Sequence, residues 1–166
     1  MNTGINPGDS HIDSRDVISR IAELESEIED CDSSISNLDE VIVEMNEILE
    51  AAEEVGDVDI AQTKWDEKIQ DRDDENNERK ELQDELNLLQ SLADECEGYG
   101  DWDNGEDLIL DSDFEEYAQD LAEDCYDMSN ASSWPFCHID WEAAADALKM
   151  DYMEVTFGDS SYQMRA

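Results

Sequence analysis

From Asp13 onward the apolar positions advance in alternating steps of four and three: Val17, Ile21, Leu24, Ile28, Cys31, Ile35, Leu38, Ile42, Met45, Leu49 and Ala52. This heptad spacing lays them along one stripe of an α-helix and is the signature of a coiled coil. With Ile21, Ile28, Ile35, Ile42 and Leu49 at the a positions, Leu24, Cys31, Leu38, Met45 and Ala52 fall at d. Ile at a with Leu-like residues at d favours two-helix packing. Gly56-Asp57 predicts the end of this helix after Val55.

A second helix is predicted from about Ile60 to Asp94, with Trp65 and Ile69 at one end and Leu82, Leu86, Leu89 and Ala93 at the other. Between them the same face carries Arg72, Asn76 and Arg79, too polar for a well-buried seam. The short connection predicts an antiparallel helical hairpin. Two readings follow from the polar middle: a self-sufficient hairpin, or a homodimer through helix one in which Ile28, Ile35 and Ile42 meet a second copy.

After Gly98, Gly100 and Gly105 the pattern changes. Phe114, Tyr117, Ala118, Leu121 and Cys125 fall at helical spacing, with Ser112 or Asp113 as cap and an end near Met128. Asn130 to Pro135 reads as a loop. Asp140 is placed to cap a short helix carrying Trp141, Ala144, Ala145 and Leu148 on one face. Tyr152–Phe157, a turn at Gly158-Asp159-Ser160, and the run from Ser161 to Arg165 read as a β-hairpin. The expected fold class is therefore α+β, mostly α: a loose tail over 1–12, a long antiparallel coiled-coil hairpin over 13–96, and a small acidic module over 97–166.

Charge changes the picture most. The 166 residues carry 49 Asp plus Glu against 9 Lys plus Arg, a formal charge of −40. High charge with modest hydrophobicity makes disorder a rival, but the regular apolar pattern argues against it. Such a charge excludes direct binding to nucleic-acid phosphates, which is driven by Lys and Arg, and disfavours an anionic membrane surface. It favours a basic partner. Lys64, Lys68, Arg72, Arg79 and Lys80 crowd into helix two, where pairing with acids of helix one or with neighbours is the plain reading. A basic binding stripe is the other. No Lys or Arg lies between Lys80 and Lys149.

That base-free stretch holds the candidate partner-binding acids: Asp101, Asp103, Glu106, Asp107, Asp111, Asp113, Glu115, Glu116, Asp120, Glu123, Asp124 and Asp127. A helix rises about 1.5 Å per residue, so acids three or four apart repeat at about 4.5–6 Å along one face. Duplex DNA carries one charge per about 1.7 Å of axis over both strands. Glu116, Asp120, Glu123, Asp124 and Asp127 make such a row, and Glu23, Glu27, Asp30 and Glu40, Glu44, Glu47 make others. Rows of this kind can imitate a nucleic-acid backbone. Against this stand another basic protein partner and a surface acidic for solubility or high salt.

Other chemistry is thin. Asp101-Trp102-Asp103-Asn104-Gly105 approaches a calcium loop, but its Gly comes one position early and Ser112 replaces the bidentate Glu. Cys137-His138 lacks a second ligand pair for zinc. The other thiols, Cys31, Cys96 and Cys125, form no CxxC, and Cys31 and Cys125 fall on apolar helix faces. They read as reduced cysteines of a cytoplasmic protein. Neither histidine, His11 or His138, belongs to a catalytic motif, so no enzyme, metal or cofactor is expected. Met1 to Ser10 has no signal-peptide pattern, and no apolar run is long enough to span a bilayer.

Phe114, Tyr117, Ala118, Leu121, Ala122 and Asp124, then Ile139, Asp140, Trp141, Ala145 and Leu148, and finally Tyr162 and Arg165 resemble the C-terminal part of the ArdA-type antirestriction proteins. The resemblance covers roughly residues 98–166. It implies inhibition of Type I restriction–modification enzymes by imitation of their DNA, usually as a dimer. The N-terminal domain of that family, with its Gly-, Tyr- and Asn-rich strands, is absent here, and the helical hairpin stands in its place. A CRISPR effector or another DNA-binding protein of the host is then an alternative target. The expected function is an acidic DNA mimic that occupies the nucleic-acid groove of a host defence protein. The alternative is a coiled-coil adaptor with a solubilising surface.

Overall fold

The computed structural model describes residues 4–55 (side chains through 51), 58–126, 134 and 136–166. Two long helices, α1 (Ser14–Val55) and α2 (Asp59–Cys96), are followed by two short ones, α3 (Phe114–Cys125) and α4 (Trp141–Leu148). Four strands, β1 (His11–Asp13), β2 (Asp107–Leu110), β3 (Tyr152–Phe157) and β4 (Ser160–Arg165), make one antiparallel sheet in the order β1-β2-β4-β3. The fold is α+β and mostly helical, with the long hairpin and the terminal β-hairpin that the pattern predicts. The expected helix boundary at Gly56-Asp57, the loop at Asn130–Pro135 (Trp134 excepted), the Ala52 side chain and Asp127 lie outside the described residues.

By contacts the chain divides into two compact units, one up to Arg20 together with Leu88–Ala166, the other Ile21–Asn87. The division falls inside the long helices rather than at residue 96. The reason is burial: Val17 at the foot of α1 and Leu89, Leu92 and Cys96 at the foot of α2 are fully buried members of the first unit. Beyond Leu89 the α2 stripe continues through Leu92 and Cys96, whereas Ala93, expected on it, is only half-buried.

The first unit is built on its sheet. Met164 and Tyr162 of β4 are fully buried and Gln163 between them nearly so, as a central strand covered on both faces requires. β3 and β4 pair from Phe157↔Ser160 to Tyr152↔Arg165 across a two-residue turn at Gly158-Asp159. Gly158 has φ +59, and a Cβ there would come within 2.7 Å of Pro7, so glycine meets both the turn and the close approach.

Residues 1–12 are not a loose tail where they are described. His11–Asp13 pairs with Asp107–Ile109 of β2, and Leu110 N donates to Ser10 O at 3.0 Å. The Tyr162 hydroxyl accepts from Gly8 N and donates to Asp9 O, both at 2.9 Å. The buried Ser14 hydroxyl opens α1, donating to Trp102 O and accepting from Glu106 N.

A second core joins helices to sheet. Phe114 and Ala118 of α3, Ala145 of α4 and Ile109 of β2 form its buried centre, with Tyr117, Leu148 and Tyr152 against it. Asp140 caps α4 as expected, accepting from Ala143 N at 3.1 Å. α3 differs from expectation at both ends. A single 3-10 turn, Asp111–Asp113, runs directly into it, so Asp113 makes no side-chain cap bond. It stops at Cys125, where Tyr126 turns extended, short of Met128.

In the second unit, Asp32 bonds Arg79, and one heptad on along α1 and one back along α2, Asp39 approaches Arg72 at 3.8 Å. That register belongs to antiparallel helices. Burial along the α1 stripe is graded: Leu24, Ile28 and Cys31 are buried, whereas Ile35, Leu38, Ile42, Met45 and Leu49 are half-buried, as is Ile21. Ile28, which the dimer reading leaves open to a second copy, is only 8% exposed. The polar middle of α2 therefore opens the seam less than its composition suggests. Arg72 and Arg79 turn their heads to carboxylates and are themselves half-buried, as long cationic side chains with apolar stems allow. Glu75, not Asn76, completes that face, since Asn76 is exposed.

Candidate functional site

The candidate acids separate by what the fold does with them. Glu106 and Asp101 tie the loop before β2: Asp101 N donates to the Glu106 carboxylate at 3.1 Å, and Asn104 donates to Asp101 Oδ1 at 2.6 Å. The calcium-loop resemblance at Asp101–Gly105 thus closes as a 3-10 turn around the buried Trp102. Asp107 lies 3.0 Å from His11 across the β1–β2 pair.

Asp111 is the clearest structural acid. It accepts from Lys149 Nζ at 2.5 Å and from Gln163 Nε2 at 2.9 Å. The Lys149 bond, with the Gln163 bond behind it, holds its carboxyl below the usual range despite partial desolvation. Lys149 also sits 5.4 Å from the centre of the Phe114 ring, a cation–π distance. Through these bonds Asp111 joins the helical core to the sheet.

The rest stand at the surface. Asp113 accepts from Ser112, and Glu115 from Gln119 at 3.4 Å. Asp103 is exposed. Glu116, Asp120, Glu123 and Asp124 are exposed on α3, and none pairs with a cation among the described residues. Phe114 and Ala118 are buried and Tyr117, Leu121 and Ala122 half-buried on the other side. The helix faces the core with its apolar stripe and offers a carboxylate row outward. Leu121, expected in the core, is only half-buried.

Asp113, Glu116 and Asp120 also border a shallow groove of about 340 Å³ with Ile109, Tyr117, Ser10 and His11. The Tyr117 hydroxyl is 2.9 Å from that of Tyr152, whose acidity is weakened by burial and by this bond. Ser10 and His11 lie in a segment that the sequence pattern marks only as tail. The alternation His11-Ile12-Asp13 is too brief to declare a strand, although the run Leu108-Ile109-Leu110 between Gly105 and Asp111 was a usable signal for its partner.

Some acids of the hairpin meet bases of its own helices. Arg79 bonds Asp32 and holds its carboxyl below the usual carboxylate range, Arg72 bonds Asp73, and Lys68 reaches Asp71 at 2.5 Å. Three of the five bases of α2, Lys68, Arg72 and Arg79, are thus paired within the hairpin, the plain reading of those charges. Cys31 is pushed up by burial and then by nearby Glu75. The Cys96 thiol, buried in the other unit, is pushed up to about 12 by desolvation. Cys125 is exposed rather than on the apolar face expected for it, as is Cys137. Among the described residues no group of three His, Cys, Asp or Glu comes together as metal ligands, and no helix is long and apolar enough to cross a membrane.

Compared with known families, curated proteins and solved structures, the chain matches no family model, no curated protein and no solved structure.

Proposed function

We propose that the chain is a binding protein, an acidic DNA mimic whose α3 carboxylate row occupies the nucleic-acid groove of a basic host defence protein, a restriction–modification enzyme or a CRISPR effector. The observation that carries this reading is the contrast on α3: Glu116, Asp120, Glu123 and Asp124 are exposed without a cation partner among the described residues, on a helix anchored by Phe114 and Ala118. From Glu116 to Asp120, and from Asp120 to Glu123 or Asp124, the row advances by three or four residues, or about 4.5–6 Å along the axis, so a basic groove evolved to meet phosphates meets carboxylates at comparable intervals. Fixing the row on a packed helix spares the cost of ordering it on binding. The resemblance of residues 98–166 to antirestriction proteins points the same way, and the reading implies action in the cytoplasm of the host.

Affinity capture from bacterial lysate, read by mass spectrometry, tests the reading. Nucleic-acid-binding proteins should be recovered, be displaced by duplex DNA, and be lost steeply as NaCl rises from about 50 to 200 mM, as for binding to a polyanion. Recovery of none would defeat it.

A second reading, a coiled-coil adaptor, is favoured by one observation: Val43, Ile48 and Ile60 remain well exposed on the hairpin. The homodimer through Ile28, Ile35 and Ile42 belongs to this reading, and the partial burial of those residues within the hairpin speaks against it. Light scattering on the free protein decides between monomer and dimer.

A further inference from the structure

One face of the hairpin runs as a shallow channel between α1 and α2. Ser34, Asn37 and Leu38 with Asp71, Asp74 and Glu75 line a groove of about 480 Å³. A second groove of about 340 Å³, beside Cys31, shares Ser34 and Glu75 with it and adds Asp30 and Glu78. Helical spacing continues this face toward the end of α1. Val41 follows Ser34 by seven residues and Asn37 by four, and Met45 and Ile48 follow by four and then three. On α2, Ile60 precedes Asp71 by eleven. Residues so spaced share a helix face. Val41, Ile48 and Ile60 are 38%, 60% and 67% exposed, and Met45 is half-buried.

We propose that this face receives an amphipathic helix of a basic partner protein, whatever α3 binds. Three features select that occupant. Val41, Met45 and Ile48 carry heptad spacing, the pattern a third helix reads when it lies in a groove. Asp30, Asp74, Glu75 and Glu78 border the continuation of the same face, so the incoming flanks must be Lys or Arg. A second copy of this chain is a poor fit: it brings −40 charges, and its Lys68, Arg72 and Arg79 are held by Asp71, Asp73 and Asp32. The stretch from Asp30 to Ile48 spans about 27 Å at 1.5 Å per residue, so the partner helix is about 18 residues long.

The test uses the full chain and a fluorescein-labelled 18-residue Leu–Lys peptide with heptad leucines, against an isomer of the same composition scrambled to remove the stripe. At about 150 mM NaCl, where long-range attraction is screened, the heptad peptide should bind with a Kd at least about tenfold lower than the isomer. The V41S/I48S/I60S variant should lose that preference while keeping its helical circular dichroism. Equal binding of the two peptides, or a preference that survives in the variant, overturns the proposal. So does sedimentation in which the unmodified chain is dimeric at tens of micromolar and the variant monomeric, since the face then belongs to a second copy.

Discussion

The unit built on the sheet and the unit formed by Ile21–Asn87 hold their structure in opposite ways. In the first, Leu108, Phe114, Val155, Tyr162 and Met164 are sealed completely, and the structural acids have fixed partners. In the second, burial fades along α1 from Leu24 to the half-buried Ile42 and Leu49, and Trp65 Nε1 is buried without an acceptor. Charge differs as well: the hairpin pairs Asp32, Asp71 and Asp73 with bases of its own helices, whereas among the described residues no cation pairs with the α3 row. The difference teaches that the exposed carboxylates of α3 are not needed for folding, because a sealed core holds the helix against their repulsion.

The largest expected effect comes from breaking that core. Phe114→Ala should cost about 3–5 kcal/mol, as deletion of a buried aromatic does, whereas Ile42→Ala in the half-buried stripe should cost about 1 kcal/mol. Urea denaturation of both variants checks the gap; equal losses would erase the contrast between the units. Leu24→Ala and Leu38→Ala sharpen it within one helix. The sealed Leu24 should cost about 2–5 kcal/mol and Leu38 clearly less. Hydrogen exchange should run faster over Ile35–Leu49 than over Val17–Cys31.

How far the sequence foretold this depends on range. The heptads of α1, the Asp140 cap and the β3–β4 hairpin were legible because each is a local pattern that its own neighbours complete. β1 and β2 were not: they are three and four residues long, and His11 finds Ile109 far along the chain. The α3 row was legible as helix spacing, but sorting its acids from Asp111 needed Lys149 and Gln163, which only the fold brings together. The same holds for Glu75, whose place on the seam depends on the phase of α2.

A smaller effect follows for Asp111. Asp111→Asn removes the Lys149 ion pair and should cost about 1 kcal/mol, a surface-discounted figure given its partial exposure. Its folded pKa lies below the unfolded one, so its contribution is present above the unfolded value near 3.9 and is lost as pH falls through the folded value. Asp13, lowered to about 2 first by its Arg15 side-chain bond, acts in the same sense. From neutral pH downward, falling net charge should first raise stability by relieving repulsion. Below about pH 4 the loss of Asp111 and then Asp13 should reverse the trend. Thermal melts from pH 7 to 2 should show that maximum in the native chain and a weaker acid limb in Asp111→Asn. The smallest effect is on Asp120→Asn, whose melting temperature should match that of the native chain, because an exposed acid without a partner holds nothing in place.

The measurement that bears most directly on α3 compares the native chain with E116Q/D120N/E123Q/D124N for affinity toward a captured DNA-binding protein across a NaCl series. Each exposed contact contributes about 0.2–1 kcal/mol, so the fourfold variant should lose about 1–4 kcal/mol of binding. Its salt dependence should flatten, and its melting temperature should hold or rise. Undiminished binding with an unchanged salt slope would contradict the account and remove α3 as the mimic surface.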